Sequence, residues 1–183
     1  MFSKLLDRIA NWPVLVLLLA MYSLFAGYLL PQAEQRMNAL AGKALGPIDL
    51  TFGINPERTL RMVADYGPAG RAYYATTEMT FDVVYPLIYS LLFAVVLTML
   101  YRTAAAPVLH RIQLLPVAAL LLDLLENATI VTLLNTYPGQ SQPVAMVCEV
   151  VKLLKWVVAG LLLTLVLAGL VRRLLPRLSG KVI

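Results

Sequence analysis

Cysteine and histidine are nearly missing from this chain. The single cysteine, Cys148, excludes an internal disulfide, a two-cysteine redox relay and a cysteine-built zinc cluster. The single histidine, His110, sits in a short basic stretch, which argues against a histidine-dependent metal or nucleophile site. Charge is scarce as well. Only 14% of the 183 residues are charged, too few for the surface of a soluble domain. The net charge is +5, and in so apolar a chain the excess is first a signal of membrane topology; no nucleic-acid partner is expected.

What remains is hydrocarbon. Hydrophobic residues make up 60% of the chain and mean hydropathy is +0.78, the composition of a polytopic membrane protein. The expected fold class is all-α. Residues 1–183 form one transmembrane domain of four helices, with spans at about 14–30, 81–101, 112–134 and 143–171. The first span is expected to remain as an anchor. It is overlong for a signal-peptide core, and no small-x-small cleavage pair follows it. The fourth run exceeds the ~20 residues needed to cross a bilayer, so it must tilt or project. Small residues share a face on the first span (Ala20, Ser23, Gly27) and on the fourth (Gly160, Thr164, Ala168), where another helix can approach closely.

Residues 31–79 form a polar insert between the first two spans. Asn55-Pro56-Glu57 is a helix start: a capping side chain, proline at the first helical position and an acid in the first turn. That helix should reach Tyr66 and break at Gly67-Pro68, and a second helix should lead into the next span. The insert reads as a small helical cap, too short for a core of its own. Lys4, Arg8, Arg102, Arg111, Arg172, Arg173, Arg177 and Lys181 fall on one side in short segments. The positive-inside rule then puts both termini in the cytoplasm and the insert outside, in a multi-pass protein of the cytoplasmic (inner) membrane.

Against this background Asp123, Glu126 and Asn127 stand out. They interrupt the third apolar run and share an arc of about 100° on a helix. Ionisable groups inside a membrane span face a protein interior or a wet cavity, and they mark functional sites. At 1.5 Å per residue, Asp123 lies ~17 Å, and Glu126 and Asn127 ~12 Å, below the outer end of the helix. Asp82, Tyr85 and Tyr89 fall on one face of the second span, and Pro86 is placed to kink it. Glu149 and Lys152 enter from the outer end of the fourth, either within the cleft or as anchors at the interface. Arg71 stands near the mouth, where it can reach an anionic headgroup. Together these residues outline a wedge-shaped polar cleft in the outer half of the bundle, and the cytoplasmic half has no comparable groups. Two carboxyl groups one turn apart in a low dielectric need a shared proton or a cation, and Lys152 is the expected cation. No carboxylate arrangement has diagnostic metal-ligand spacing, so no metal is expected, and nothing in the sequence specifies a cofactor.

Three functions fit. In the first, a lipid or other amphiphile enters the cleft, its head meeting Asp82, Tyr85, Tyr89, Asn127, Glu149, Lys152 and Arg71. If the protein is an enzyme, Asp123 or Glu126 is the general acid or base, because burial disfavours the charged form. In the second, the network only stiffens the bundle, and the chain is an accessory or assembly subunit of a larger membrane complex or a homo-oligomer. The third is a proton-coupled transporter, which ranks lower because the inner half lacks polar groups. The string Gly70-Arg71, Tyr74, Asp82, Tyr85-Pro86, Tyr89, Asp123 and Glu126-Asn127 resembles an uncharacterised group of small bacterial four-span membrane proteins. The resemblance covers about Asp49 to Thr132. It implies no activity, cofactor or partner.

Overall fold

Asn11 starts the first long helix. Its side-chain oxygen accepts the Val14 N–H at 3.1 Å, and a proline sits in the first turn. The computed structural model describes residues 2–102 and 106–179, which are helical with no strand among them. A short helix, α1, covers Phe2–Ile9, and α2 covers Trp12–Leu24. A π-helical turn, Phe25–Leu29, leads without a break into α3, Leu30–Ala41. The wide turn falls just ahead of Pro31. Proline has no N–H for the carbonyl four residues back, and its ring crowds that carbonyl; a wider turn relieves both. The sequence reading starts the polar insert at Pro31, whereas the rod continues to Ala41, where Gly42 closes it at φ 71°.

The insert's remaining helices follow their caps. In α4, Pro56–Asp65, the Asn55 side chain accepts the Arg58 N–H at 2.9 Å. Gly67, at φ 65°, turns the chain into α5, Gly67–Met79. A distortion at Thr80 separates α5 from α6, Phe81–Tyr101. The third long helix, α7, covers Ala106–Thr136, so it begins ahead of the expected Ile112 and takes in His110 and Arg111. The fourth, α8, covers Gln142–Ser179. Residues 103–105 of the expected basic turn, and Lys181 of the basic tail, lie outside the described residues.

Four of these rods are long and apolar enough to cross a membrane: Trp12–Ala41, Gly67–Tyr101, Arg111–Thr136 and Gln142–Leu174. They are not equivalent. The most apolar windows of the second and third are 44% and 39% buried in protein; those of the first and fourth are 6% and 11% buried. Helices α6 and α7 therefore form the interior, with α2 packed on α6 and α8 on both. The insert has no separate core. Its Met37, Ile48, Val63, Tyr66 and Tyr74 join Ile130, Leu133, Ala145 and Cys148 of α7 and α8 in one buried cluster. At the opposite end, Gly169 lets α8 approach α6 closely, since a Cβ there would meet Leu100 at 3.0 Å.

Between α3 and α4, residues 42–55 cross the insert end of the bundle as a strap. Asn38 accepts from the Leu45 and Gly46 N–H groups at 2.9 and 3.1 Å. The Tyr66 hydroxyl donates to the Gly46 carbonyl at 2.7 Å. Burial, and after it the Asp49 charge, pushes this phenol above the ordinary tyrosine range, so it stays a donor. The Ile48 N–H donates to the Tyr74 oxygen at 2.8 Å, and the Trp156 indole to the Asp49 carbonyl at 3.3 Å.

Candidate functional site

The site begins with a proline. Pro86 lies inside α6 and offers no N–H to the carbonyl of Asp82, one turn earlier. The side-chain amide of Asn127, on α7, donates to that carbonyl instead. Relieving a buried orphan acceptor is worth about 1–3 kcal/mol, and it fixes the register of α7 against α6. One turn beyond the proline, the Tyr89 hydroxyl donates to Asp123 Oδ2 at 2.6 Å. The polar faces of α6 and α7 therefore meet as their spacing predicts.

The cation that joins them is a different lysine from the one expected. Lys155 of α8 pairs with Glu126 Oε2 and lies 3.7 Å from Asp123 Oδ1. Glu126 is fully buried and Asp123 nearly so. Lys152, three residues earlier, pairs with Glu149 Oε1 at 2.8 Å and donates to Thr51 Oγ1 at 2.7 Å. Glu149 also accepts from the Asn55 N–H at 3.0 Å and from the Thr59 hydroxyl at 2.5 Å. Glu149 thus caps the first turn of α4 from another helix, and with Lys152 it clamps the strap to α8. A signal for this exchange was present in the sequence. An i,i+3 Glu–Lys pair on one helix can satisfy itself, which leaves Lys155 as the unused cation.

Two acids that sequence reasoning left among the surface charges also belong here. Glu78 ends α5 and is 1% exposed, and neither of its oxygens has a hydrogen-bond partner. Tyr74, one turn before it, donates its one proton to Asp49 at 3.2 Å. Asp49 hangs from the strap. Asp49, Glu78 and Asp82 lie within electrostatic reach of the Asp123–Glu126–Lys155 group. Tyr74, Glu78, Asp82, Tyr85 and Tyr89 continue one helical stripe across the Thr80 distortion, and that spacing could have identified Glu78. The assembled site sets five carboxyl groups around one lysine. In a low dielectric they cannot all be ionised against a single cation, so protons or a bound donor must supply the balance.

The remaining candidates turn to the protein's own groups. Tyr85 stacks on Tyr22 and Phe25 at centroid distances of 5.7 and 6.4 Å, joining α6 to the first rod. Arg71 donates to the carbonyls of Val63 and Ala64 at the end of α4 and lies 3.9 Å from the centre of the Tyr137 ring. The sequence reading left the basic half of the bundle without polar groups, but Gln113 and Thr98 there are both fully buried and bond to each other at 2.9 Å. That pair carries no charge. Among the described residues no group of three or more His, Cys, Asp or Glu side chains has a geometry that could hold a metal ion.

Beside the cluster the seam between α5–α6 and α7 opens as a groove of about 190 Å³. Met79, Val83, Leu124, Ala128 and Val131 line it, and Glu78 and Asn127 complete the lining. A larger depression, about 400 Å³, lies between α4 and the α7–α8 turn and shares no residue with the cluster.

Fold and site define an all-helical chain with four helices apolar enough to cross a membrane and a buried acidic cluster between them. No protein-family model, curated protein or solved structure matches the chain. Its functional reading rests on the chemistry of the site.

Proposed function

We propose that this is an integral protein of the cytoplasmic membrane that binds or processes a lipid or other amphiphile. Both termini are cytoplasmic and the strap faces outward. The head of the ligand meets the Asp123–Glu126–Lys155 cluster, and its tail leaves through the seam between helices. One observation carries the reading: an open, apolar-lined groove runs beside the buried charged cluster, and Glu78, which lines the groove, lies within electrostatic reach of Glu126. If a reaction follows binding, the Tyr89–Asp123–Lys155–Glu126 chain is the natural place to hold and pass a proton. Mass spectrometry of the mildly solubilised protein should find an amphiphile retained near one per chain. A protein purified free of any amphiphile, and unable to take one up, refutes the reading. For the orientation, a cysteine introduced at Ser141 should react with an impermeant thiol reagent on intact cells, and one at Lys4 should not; the native Cys148 is fully buried and gives little background. The reverse pattern inverts the protein.

A second reading has its own support. Ala20, Ser23 and Gly27 on α2 and its π turn, and Gly160, Thr164 and Ala168 on α8, are exposed. A Cβ at Gly27 or Gly160 would meet nothing within 4 Å. These faces suit helices of another membrane subunit or a second copy of the chain. A stoichiometric partner that co-purifies, and is lost on replacing Gly27 and Gly160 with leucine, favours it.

A further inference from the structure

Among the described residues Glu78 is the one fully buried carboxyl group in the cluster with neither a hydrogen bond nor an ion pair. Glu149 has three donors, Asp123 has Tyr89 and Lys155, and Glu126 has Lys155. Glu78 is as deeply buried as these, yet both of its oxygens are unpartnered and the residue lines the groove between α5–α6 and α7. A buried polar side chain without a partner calls for an explanation, and an open groove leading to it suggests an external donor. The charge balance selects the donor. Asp49, Asp82 and Glu126 surround Glu78 electrostatically, and Lys155 is already engaged with Asp123 and Glu126. A phosphate or carboxylate head would meet like charge there. An ammonium group brings several donors and the missing positive charge. The groove's volume of about 190 Å³ falls below the ~300–1,000 Å³ of drug-sized sites, and its walls are apolar, so it admits an alkyl chain and excludes a bulky head.

We propose that the Glu78 groove binds an ammonium-headed amphiphile, with the ammonium on the Glu78 carboxylate and one alkyl chain along Val83, Leu124, Ala128 and Val131. The assignment rests on the amphiphile reading above and names its ligand class. It makes Glu78 a specificity determinant, since the residue selects a cationic head over a neutral or anionic one.

The test uses the full chain in mild detergent with three probes of equal chain length: a long-chain primary amine, the alcohol and the carboxylic acid. Retention is read by native mass spectrometry for the wild type, Glu78→Gln and Ala128→Phe. Ala128 is exposed, so the phenylalanine fills the groove without disturbing the core and serves even if Glu78→Gln lowers the unfolding temperature. The wild type should retain the amine about tenfold or more above the acid, with the alcohol between them, and both variants should lose the amine by about tenfold. Equal retention of amine and acid, or amine binding unchanged in both variants, overturns the assignment. If an endogenous amphiphile is nevertheless retained and Asp123→Asn releases it, the broader reading survives that failure. If the wild type takes up no amphiphile of any head, both fall.

Discussion

Two ion pairs sit one turn apart on α8, and they are satisfied to very different degrees. Glu149–Lys152 is closed. Its carboxylate accepts from a backbone N–H, a hydroxyl and the ammonium, and the ammonium reaches a second hydroxyl. Lys155 faces Asp123 and Glu126 with one phenol beside them, while Asp49, Glu78 and Asp82 add three carboxyl groups and, among the described residues, no further lysine. The first pair finds every one of its partners in the protein itself. It holds the strap, and through Thr51 and Asn55 the strap keeps Asp49 over the cluster. The second retains unsatisfied acceptors at the edge of a groove. Burial alone therefore does not distinguish these two groups. The completeness of their hydrogen bonding does, and it is the ground on which we propose the second as the ligand site.

The largest stability effect should fall on the closed pair. Lys152→Met leaves Glu149 buried with its ammonium gone, and it should cost about 3 kcal/mol in thermal unfolding and expose residues 42–55 to protease. An unchanged unfolding temperature with a protected strap would remove the distinction drawn here. A smaller effect concerns the joint that registers α7 on α6. Asn127→Leu strands the Asp82 carbonyl and should cost ~1–3 kcal/mol. Pro86→Ala restores the helical N–H to that carbonyl, so the double variant should recover most of the loss, a coupling of about 1 kcal/mol or more. Additive losses would mean that Asn127 does not replace the proline's missing bond. The smallest effect belongs to an exposed pair. Arg61 lies 3.8 Å from Glu57 with both side chains mostly in solvent, and Arg61→Ala should stay within about 0.5 kcal/mol. A larger loss would show that ion pairs in this protein cannot be ranked by their surroundings.

Local signals in the sequence carried much of this. The four apolar runs, the Asn55 cap, the Gly67 break and the shared face of Asp123, Glu126 and Asn127 all follow from helical period and capping chemistry. Tyr89 was found because it lies on the same face as Asp82. The misses have physical causes. Asp49 reaches the cluster only because the strap is tied across separations of 94 and 101 residues, and no local pattern encodes such contacts. Lys152 was expected as the cation, and that reading ignores the partner that Glu149 offers on the same helix. Glu78 was read as an insert charge because the apolar run was taken to start at Phe81. The helix carrying it begins at Gly67, which places Glu78 against the bundle rather than in water. Pro31 looked like the end of a span, and the π turn ahead of it lets the helix continue.

The central claim is that the Lys155 cluster is a ligand site and the Glu149 clamp is not. The most direct measurement is retention of the co-purified amphiphile by Asp123→Asn, read by mass spectrometry beside thermal unfolding of the same sample. Asparagine still accepts from Tyr89 but carries no charge. The unfolding free energy should change by no more than about 1 kcal/mol while the ligand is lost, whereas Asp123→Leu, which orphans the Tyr89 hydroxyl, should lose the ligand and a further ~1–3 kcal/mol. An Asp123→Asn protein that keeps its amphiphile at wild-type occupancy would contradict the account.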